Sequence, residues 1–278
     1  MAAFDLQGII GNTRKQKPLV HSITNYVTAG DCANILLACG ASPIMADDRS
    51  EVEEITALAG GLVLNIGTLN SRTVESMLLS GRKANALGIP VVLDPVGAGA
   101  TALRTEAVGR LLSGVRFSLI RGNISEILAV HGEAGNTGGV DASWKDRVTE
   151  ENLEEVLGTL QDLAGRTGAV LAVTGALDLV VDGERALLCR NGHPQMGGIT
   201  GMGCMLSAVA GAFAAANPER VLEAAAAAVV AMGICGEQAQ ILVQAAGGGT
   251  GTMKAHLLDR MCRMEDETVE EEGRYEIL

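Results

Sequence analysis

The 278-residue chain is 47% hydrophobic and 2% aromatic, contains 36 glycines and carries a formal charge of −12. Its length and apolar content suffice for a large core in one or two domains, and its acidic balance excludes a general electrostatic attraction to nucleic acid or an anionic membrane. Scarce aromatics argue against stacking as its main binding device, and abundant glycine points to the tight turns and close helix–sheet approaches of an α/β protein.

The opening segment Met1-Ala2-Ala3-Phe4-Asp5-Leu6 lacks a basic region ahead of an apolar core, so no secretory signal is expected. Residues 4–15 read as a short leading helix. Pro18-Leu19-Val20-His21-Ser22-Ile23-Thr24-Asn25 is a short strand running into a polar loop, where Thr24, Asn25 and Thr28 either recognise a small molecule or cap the following helix, 29–39. Gly40 to Ala46 gives a turn and a second short strand, with Met45 a core residue by type.

Four short, apolar, β-branched runs follow: 62–66, 90–94, 117–121 and 169–174. Runs of this kind fit parallel strands buried on both faces. The intervals 71–87, 104–114, 124–131 and 149–167 carry helical patterning, so the chain alternates strand and helix and predicts a doubly wound sheet with right-handed crossovers. Each strand ends in a polar or glycine-bearing tip: Asn65 to Thr68, Asp94 to Gly97, Arg121 to Asn123, and Thr174-Gly175. Ligands of open α/β sheets bind beyond the carboxyl ends of the strands, so these tips are expected to share one rim, with Asp94, Arg121, Asn123, Glu126 and Thr174 around a cleft. Taken singly, Asp94 and Asn123 also read as helix caps and Arg121 as a surface cation.

Residues 177–188 alternate and turn at Asp182-Gly183, a hairpin signal. Then comes Gly197-Gly198-Ile199-Thr200-Gly201-Met202-Gly203-Cys204, a glycine-rich loop that opens a helix. Such a loop offers free N–H groups and a positive dipole end to an anion, and a thiol at the junction is well placed to react or to take a proton. A helix start packed on a small apolar residue explains the same motif equally well. Apolar runs at 205–216 and 224–235 are each shorter than the about 18 residues of a spanning helix and read as buried helices. A second glycine loop, 247–252, precedes a final helix, 253–264. The last fourteen residues carry seven acids against Arg274, a net of −6, and are expected to form a solvated or frayed tail. Six dispersed cysteines without a Cys-x-x-Cys pair read as free thiols of a reducing cytosol. No repeat or linker divides the chain, which gives one domain over 1–264 and an acidic tail over 265–278.

No Gly-x-x-x-x-Gly-Lys-Ser/Thr is present, which removes the P-loop class. Residues 97–102 resemble a dinucleotide fingerprint but follow the wrong strand and lack the downstream acid that would hold a ribose. Phosphoryl transfer meets more constraints. It needs an anion hole, a cation, carboxylates for Mg²⁺ and a base near the acceptor hydroxyl. Gly201, Gly203 and Cys204 can form the hole, Arg121 is the cation, Asp94 and Glu126 are the carboxylates, and Cys204 is the proton acceptor.

Six motifs in order, His21-Ser22-Ile23-Thr24-Asn25, Gly40-Ala41-Ser42-Pro43, Asn65-Ile66-Gly67-Thr68-Leu69, Leu93-Asp94-Pro95-Val96-Gly97, Ile120 to Ile127 and Gly201-Met202-Gly203-Cys204, resemble hydroxyethylthiazole kinase over about residues 18–260. The resemblance implies a ribokinase-like α/β fold, with a central mostly parallel sheet, helices on both faces and no separate lid domain. It also implies phosphorylation of the hydroxyl of 4-methyl-5-(2-hydroxyethyl)thiazole by ATP with Mg²⁺ in thiamine salvage. By position it implies that Asn25, Met45 and Gly201 contact the thiazole, that Arg121 and Thr174 bind ATP, that Asp94 and Glu126 organise Mg²⁺, and that Cys204 stands where related sugar kinases carry an aspartate base. A cytoplasmic homotrimer with active sites at subunit interfaces is implied too. Two positions depart from the family pattern. Met202 replaces the usual threonine, removing a hydroxyl but leaving the backbone donors, and Gly249-Thr250-Gly251-Thr252 stands where the family often has a proline and a serine. The open alternatives are another ribokinase-like kinase, for pyridoxal or hydroxymethylpyrimidine, a repair dehydratase of the same fold, and a non-catalytic thiazole- or nucleotide-binding protein.

Overall fold

The computed structural model describes residues 4–133 and 147–278. The first strands, β1 (Leu19–Ile23), β2 (Ser42–Ile44), β3 (Gly61–Asn65), β4 (Val91–Asp94), β5 (Leu119–Gly122) and β6 (Val170–Val173), pair in parallel, and β7 (Asp178–Val181), β8 (Ala186–Cys189) and β9 (Tyr275–Ile277) continue the sheet antiparallel. The order is β2-β1-β3-β4-β5-β6-β7-β8-β9, and all strands among the described residues belong to this one sheet. The chain moves outward from β1 to β2, then returns to place β3 on the other side of β1. Ligands of open α/β sheets bind at the carboxyl ends beside such a reversal.

Strand alternation divides the interior into two cores. Val20, Val63, Val92, Leu119, Ala172, Val180 and Leu187 face one layer, whereas Leu62, Leu64, Leu93, Ile120, Leu171 and Leu179 face the other. The first layer holds α1 (Ile9–Gln16), α2 (Ala29–Ala38), α8 (Met202–Ala216), α9 (Val221–Ala246) and α10 (Thr250–Cys262). The second holds α3 (Val52–Leu58), α4 (Ser71–Leu87), α5 (Ala102–Gly114), α6 (Ile124–Glu133) and α7 (Leu153–Thr167). Local chemistry sets their limits. Asn70 and Thr73 cap the start of α4 reciprocally, and Gly88, at φ 71°, ends it in the left-handed region. The helix α9 is long and apolar enough to cross a membrane by length and composition, yet most of its residues are buried inside the fold.

The final segment is solvent-exposed along most of its length, as expected, but it is not frayed. Residues Asp266–Glu272 make α11, and β9 pairs with β8, with Leu187 opposite Ile277 and Cys189 opposite Tyr275. Acids in the first turn of α11 favour the helix dipole, the Asp266 carboxylate accepts the Ile10 and Gly11 N–H groups at 3.0 Å each, and Val269 is buried. The acidic side chains cover an element whose own apolar residues anchor it. The sequence reading also passed over α3, whose seven residues are too few for a clear helical period.

α8 lies on β3 and β4 at very short range because both sides use glycine. A Cβ on Gly211 would stand 2.5 Å from a methyl of Val63, and one on Gly61 would stand 3.0 Å from the Gly211 carbonyl oxygen. Gly165, in α7, has open space around it. Gly211→Val is therefore expected to cost about 3 kcal/mol by overpacking, while Gly165→Ala adds about 0.5–1 kcal/mol through helix propensity; urea unfolding of the two variants measures both.

Candidate active site

The ends of β3, β4, β5 and β6 stand side by side and bring Asn65, Asp94, Arg121 and Thr174 onto one rim, as the strand tips suggest. The start of α8 meets them from the first layer. Gly201 precedes that helix at φ 89°, a left-handed conformation, and a Cβ there would lie 2.8 Å from the Thr28 methyl. Gly203 is required for another reason: the Arg121 guanidinium occupies the space that a Cβ would need. The first helical hydrogen bond runs from the Met205 N–H to the Gly201 carbonyl at 2.8 Å, so the N–H groups of Met202, Gly203 and Cys204 precede the helical ladder.

A continuous network joins Cys204 to Asp94. Asn25 uses its carbonyl oxygen to accept from the Thr28 N–H (3.1 Å) and hydroxyl (3.0 Å), which turns its amide nitrogen toward the Asn65 oxygen (3.1 Å) and the Cys204 sulfur (3.2 Å). Asn65 is oriented the same way: its oxygen accepts the Gly67 N–H at 2.8 Å, and its nitrogen donates to Asp94 Oδ2 at 2.7 Å and to the sulfur at 3.2 Å. Two amide donors thus converge on Cys204. The Ser207 hydroxyl, three residues beyond Cys204 on α8, donates to Asp94 Oδ2 at 2.8 Å.

Asp94 is fully buried, with its Oδ1 unpartnered and 3.9 Å from Arg121 Nη1. Burial pushes its carboxyl up to about 6, opposed by the Arg121 charge and the Ser207 bond. Arg121 also donates to the Thr174 hydroxyl, and its Nε is buried without a partner. Glu126 has a different position. Its two oxygens accept the Gly97 N–H (2.8 Å) and the Asn123 N–H (2.9 Å), while its own N–H donates to Asn123 Oδ1 at 2.9 Å, a reciprocal cap on α6 that also ties down the β4 tip. The cap reading of Asn123 therefore holds.

No group of three or more His, Cys, Asp or Glu side chains is gathered for a metal among the described residues. Mg²⁺ commonly keeps several waters and binds through one or two carboxylates plus substrate phosphates. An unpartnered buried oxygen on Asp94, with Glu126 beside the same loop, fits that mode.

A cavity of about 630 Å³ opens on the other side of Gly203 and Arg121, with Thr174 and Asn191 as polar walls and Met196 and Met232 as apolar ones. Met202 lines it as well. Of the residues singled out in the sequence, Asn25, Asp94, Arg121, Thr174, Gly201, Gly203 and Cys204 meet here, with Glu126 joined through Gly97. Met45 does not. It stands exposed just past edge strand β2, apart from the hydrogen-bonded network and the cavity wall. The sequence reading missed three residues. Ser207 is a hydroxyl three positions after Cys204 in an otherwise apolar helix, a spacing that signals a shared face. Asn65 was visible as a strand tip without a role. Asp178, hidden in the alternating hairpin, lines the cavity; burial pushes its carboxyl up to about 6, and it accepts the Gly175 N–H at 2.8 Å.

The model of the Hydroxyethylthiazole kinase family matches residues 10–267. Hydroxyethylthiazole kinase of Clostridium acetobutylicum is 49% identical over 265 residues, covering 95% of this chain and 97% of its own. The protein of the same description from Desulfovibrio desulfuricans is 51% identical over 264 residues, covering 92% and 93%. Among solved structures, a hydroxyethylthiazole kinase protein from Pyrococcus horikoshii superposes with a TM-score of 0.86 at 38% identity over 98% of each chain. Pyridoxal kinase from Staphylococcus aureus, at 14% identity and a TM-score of 0.55 over 77% of this chain and 85% of its own, shares the fold alone.

Because the folded Asp94 carboxyl titrates near 6 instead of 3.8, the native state holds a proton that the unfolded chain releases, and stability falls as pH rises through that window. Asp94→Asn removes this penalty. The variant is expected to be more stable than the parent by on the order of 2–3 kcal/mol at pH 8, with the gap closing toward pH 4, as read by denaturant titration across pH.

Proposed function

The chain belongs to the hydroxyethylthiazole kinase family, and from that premise we propose that it transfers the γ-phosphoryl group of ATP to the hydroxyl of 4-methyl-5-(2-hydroxyethyl)thiazole, the thiamine-salvage reaction. The observation that carries this reading is the convergence, at the start of α8, of backbone donors ahead of the helical ladder, the Arg121 cation and the Cys204 sulfur, with the Asn25 and Asn65 amides on the sulfur and the cavity lined by Arg121 and Gly203.

In this reading the acceptor alcohol lies beside Asn25 and the cavity takes ATP. Arg121 and Thr174 bind the nucleotide phosphates, and the N–H groups that follow Gly201 hold the moving phosphoryl as charge builds on it. Because these donors belong to the backbone, methionine at position 202 leaves them intact. Cys204 takes the hydroxyl proton, and Asn25 and Asn65 aim the sulfur. Asp94 and Glu126 would hold Mg²⁺ through waters and the phosphates; the ion, when bound, neutralises charge on the transferring group. Above pH 6 Asp94 is mainly ionised, so the site is ready for a cation at neutral pH.

Met45 enters the reading through assembly. Tyr26, at 81% exposure, and Val27, at 58%, follow Asn25 after β1, and Met45 is exposed after the neighbouring edge strand β2. A homotrimer with active sites at subunit interfaces would cover this apolar surface and bring a partner's Met45 to the thiazole. A cytoplasmic setting suits the six cysteines, all unpaired.

ADP release by the purified protein is expected with the thiazole alcohol and Mg-ATP, and to stop when EDTA is added. Turnover of pyridoxal or hydroxymethylpyrimidine in place of the thiazole would move the chain elsewhere in the superfamily, and binding without turnover would make it a non-catalytic member. Cys204→Ala should lower kcat by about 10²–10⁴, the usual contribution of a positioned base, whereas Cys204→Asp keeps or raises it. Full activity in Cys204→Ala would leave only the anion hole.

A further inference from the structure

The segment that carries the negative charge of the last fourteen residues also carries one arginine, and that arginine lies against the cavity wall. Arg274 donates through its backbone N–H to Asn191 Oδ1 at 2.6 Å and through Nη2 to the Arg190 carbonyl at 2.9 Å. Its guanidinium grips the Glu237 carboxylate with Nη2 at 2.7 Å and Nη1 at 3.0 Å. Glu237, on α9, accepts in turn from the Gly192 N–H, and the Asn191 amide reaches the Glu272 carbonyl at 3.1 Å. Arg190, Asn191, Gly192 and His193 all line the cavity, and residues 268–278 lie beyond the stretch that the family model matches.

We propose that Arg274 is a positioning residue for the nucleotide: by holding the Arg190 carbonyl to Glu237, which in turn accepts the Gly192 N–H, its guanidinium fixes the 190–193 wall in the shape that ATP meets. The inference rests on the reading of the cavity as the ATP site. Two features separate this clamp from an ordinary edge contact. The wall turns at Gly192, which sits at φ 129°, where only glycine is at ease, and its N–H is held by Glu237. The wall is also seated closely on α9, since a Cβ on Gly233 would fall 2.6 Å from the Asn191 Cβ. A pair with Arg274 56% exposed contributes little to global stability. Its effect is therefore local, on the residues it orders.

Steady-state kinetics and thermal unfolding of Arg274→Ala, Arg274→Lys and Arg121→Ala test this. In Arg274→Ala the KM for ATP is expected to rise about 5–10-fold, with kcat and the KM for the thiazole within about twofold and Tm within a few degrees of the parent. Arg274→Lys keeps one charged nitrogen for Glu237 and the Arg190 carbonyl but loses the two-nitrogen grip on the carboxylate, so its KM for ATP should rise less. Titration with a non-hydrolysable ATP analogue should give the same ranking. Unchanged ATP affinity in Arg274→Ala, or parallel rises in both KM values with a large fall in Tm, would overturn the proposal in favour of a purely structural contact. Arg121→Ala separates the two levels: if it weakens ATP while Arg274→Ala does not, the clamp alone is wrong, and if it leaves ATP affinity unchanged, the assignment of the cavity fails and the clamp with it.

Discussion

A carboxylate with no exposed surface, at the end of a central strand, is the constraint on which the rest of this molecule depends. Asp94 sits there with one oxygen held by Asn65 and Ser207 and the other without a hydrogen bond, 3.9 Å from the Arg121 guanidinium. A buried charge of this kind is costly unless its surroundings are ordered to receive it. Each group that answers it is thereby fixed for another task. Asn65, turned to donate to Asp94, presents the same nitrogen to Cys204. Arg121, drawn toward Asp94, lies across the first turn of α8 and dictates glycine at position 203. The site is thus less a set of independent residues than one electrostatic problem with several dependent answers.

The reversal of strand order between β2 and β3 divides that site. Asn25, from the loop after β1, and Asn65, from the end of β3, meet directly at the reversal, beside Cys204. Arg121 and Thr174, one and two strands beyond β4, face the cavity. The loops are braced from behind by Arg104, whose guanidinium donates to the carbonyls of Ile66 and Gly67 at 2.8 Å each and also to that of Val96, so the tips of β3 and β4 move together if they move at all. Phosphoryl transfer depends mainly on positioning and electrostatic stabilisation, and this architecture supplies rigidity where the two substrates would meet.

Much of this was legible in the residues. The strand–helix alternation follows from short β-branched runs, and the shared rim follows from parallel strands that each end in a polar tip. Period and composition could not show contacts made across the fold. Ser207 belongs with Asp94 only because α8 crosses β4, and Asp178 reaches the cavity only because the hairpin folds back beside β6. Charge counting misread the final segment, since the seven acids outweighed Val269, Tyr275 and Ile277, whose packing and pairing decide its structure. Met45 shows another limit. Its implied role came from resemblance, and a single chain leaves it outside the site.

The placement of β9 bears on how the protein avoids associating wrongly. An exposed strand edge is a template on which another chain can add, and proteins blunt such edges with short strands, charge or proline. Here β2, at one end of the sheet, has three residues with Pro43 at its centre, and β9, at the other, has three residues with Glu276 at its centre. Were β9 to detach, it would uncover β8, an uncharged edge of Ala186, Leu187, Leu188 and Cys189. The acidic segment thus also acts as a guard against strand-by-strand aggregation, and its negative side chains keep a second copy at a distance.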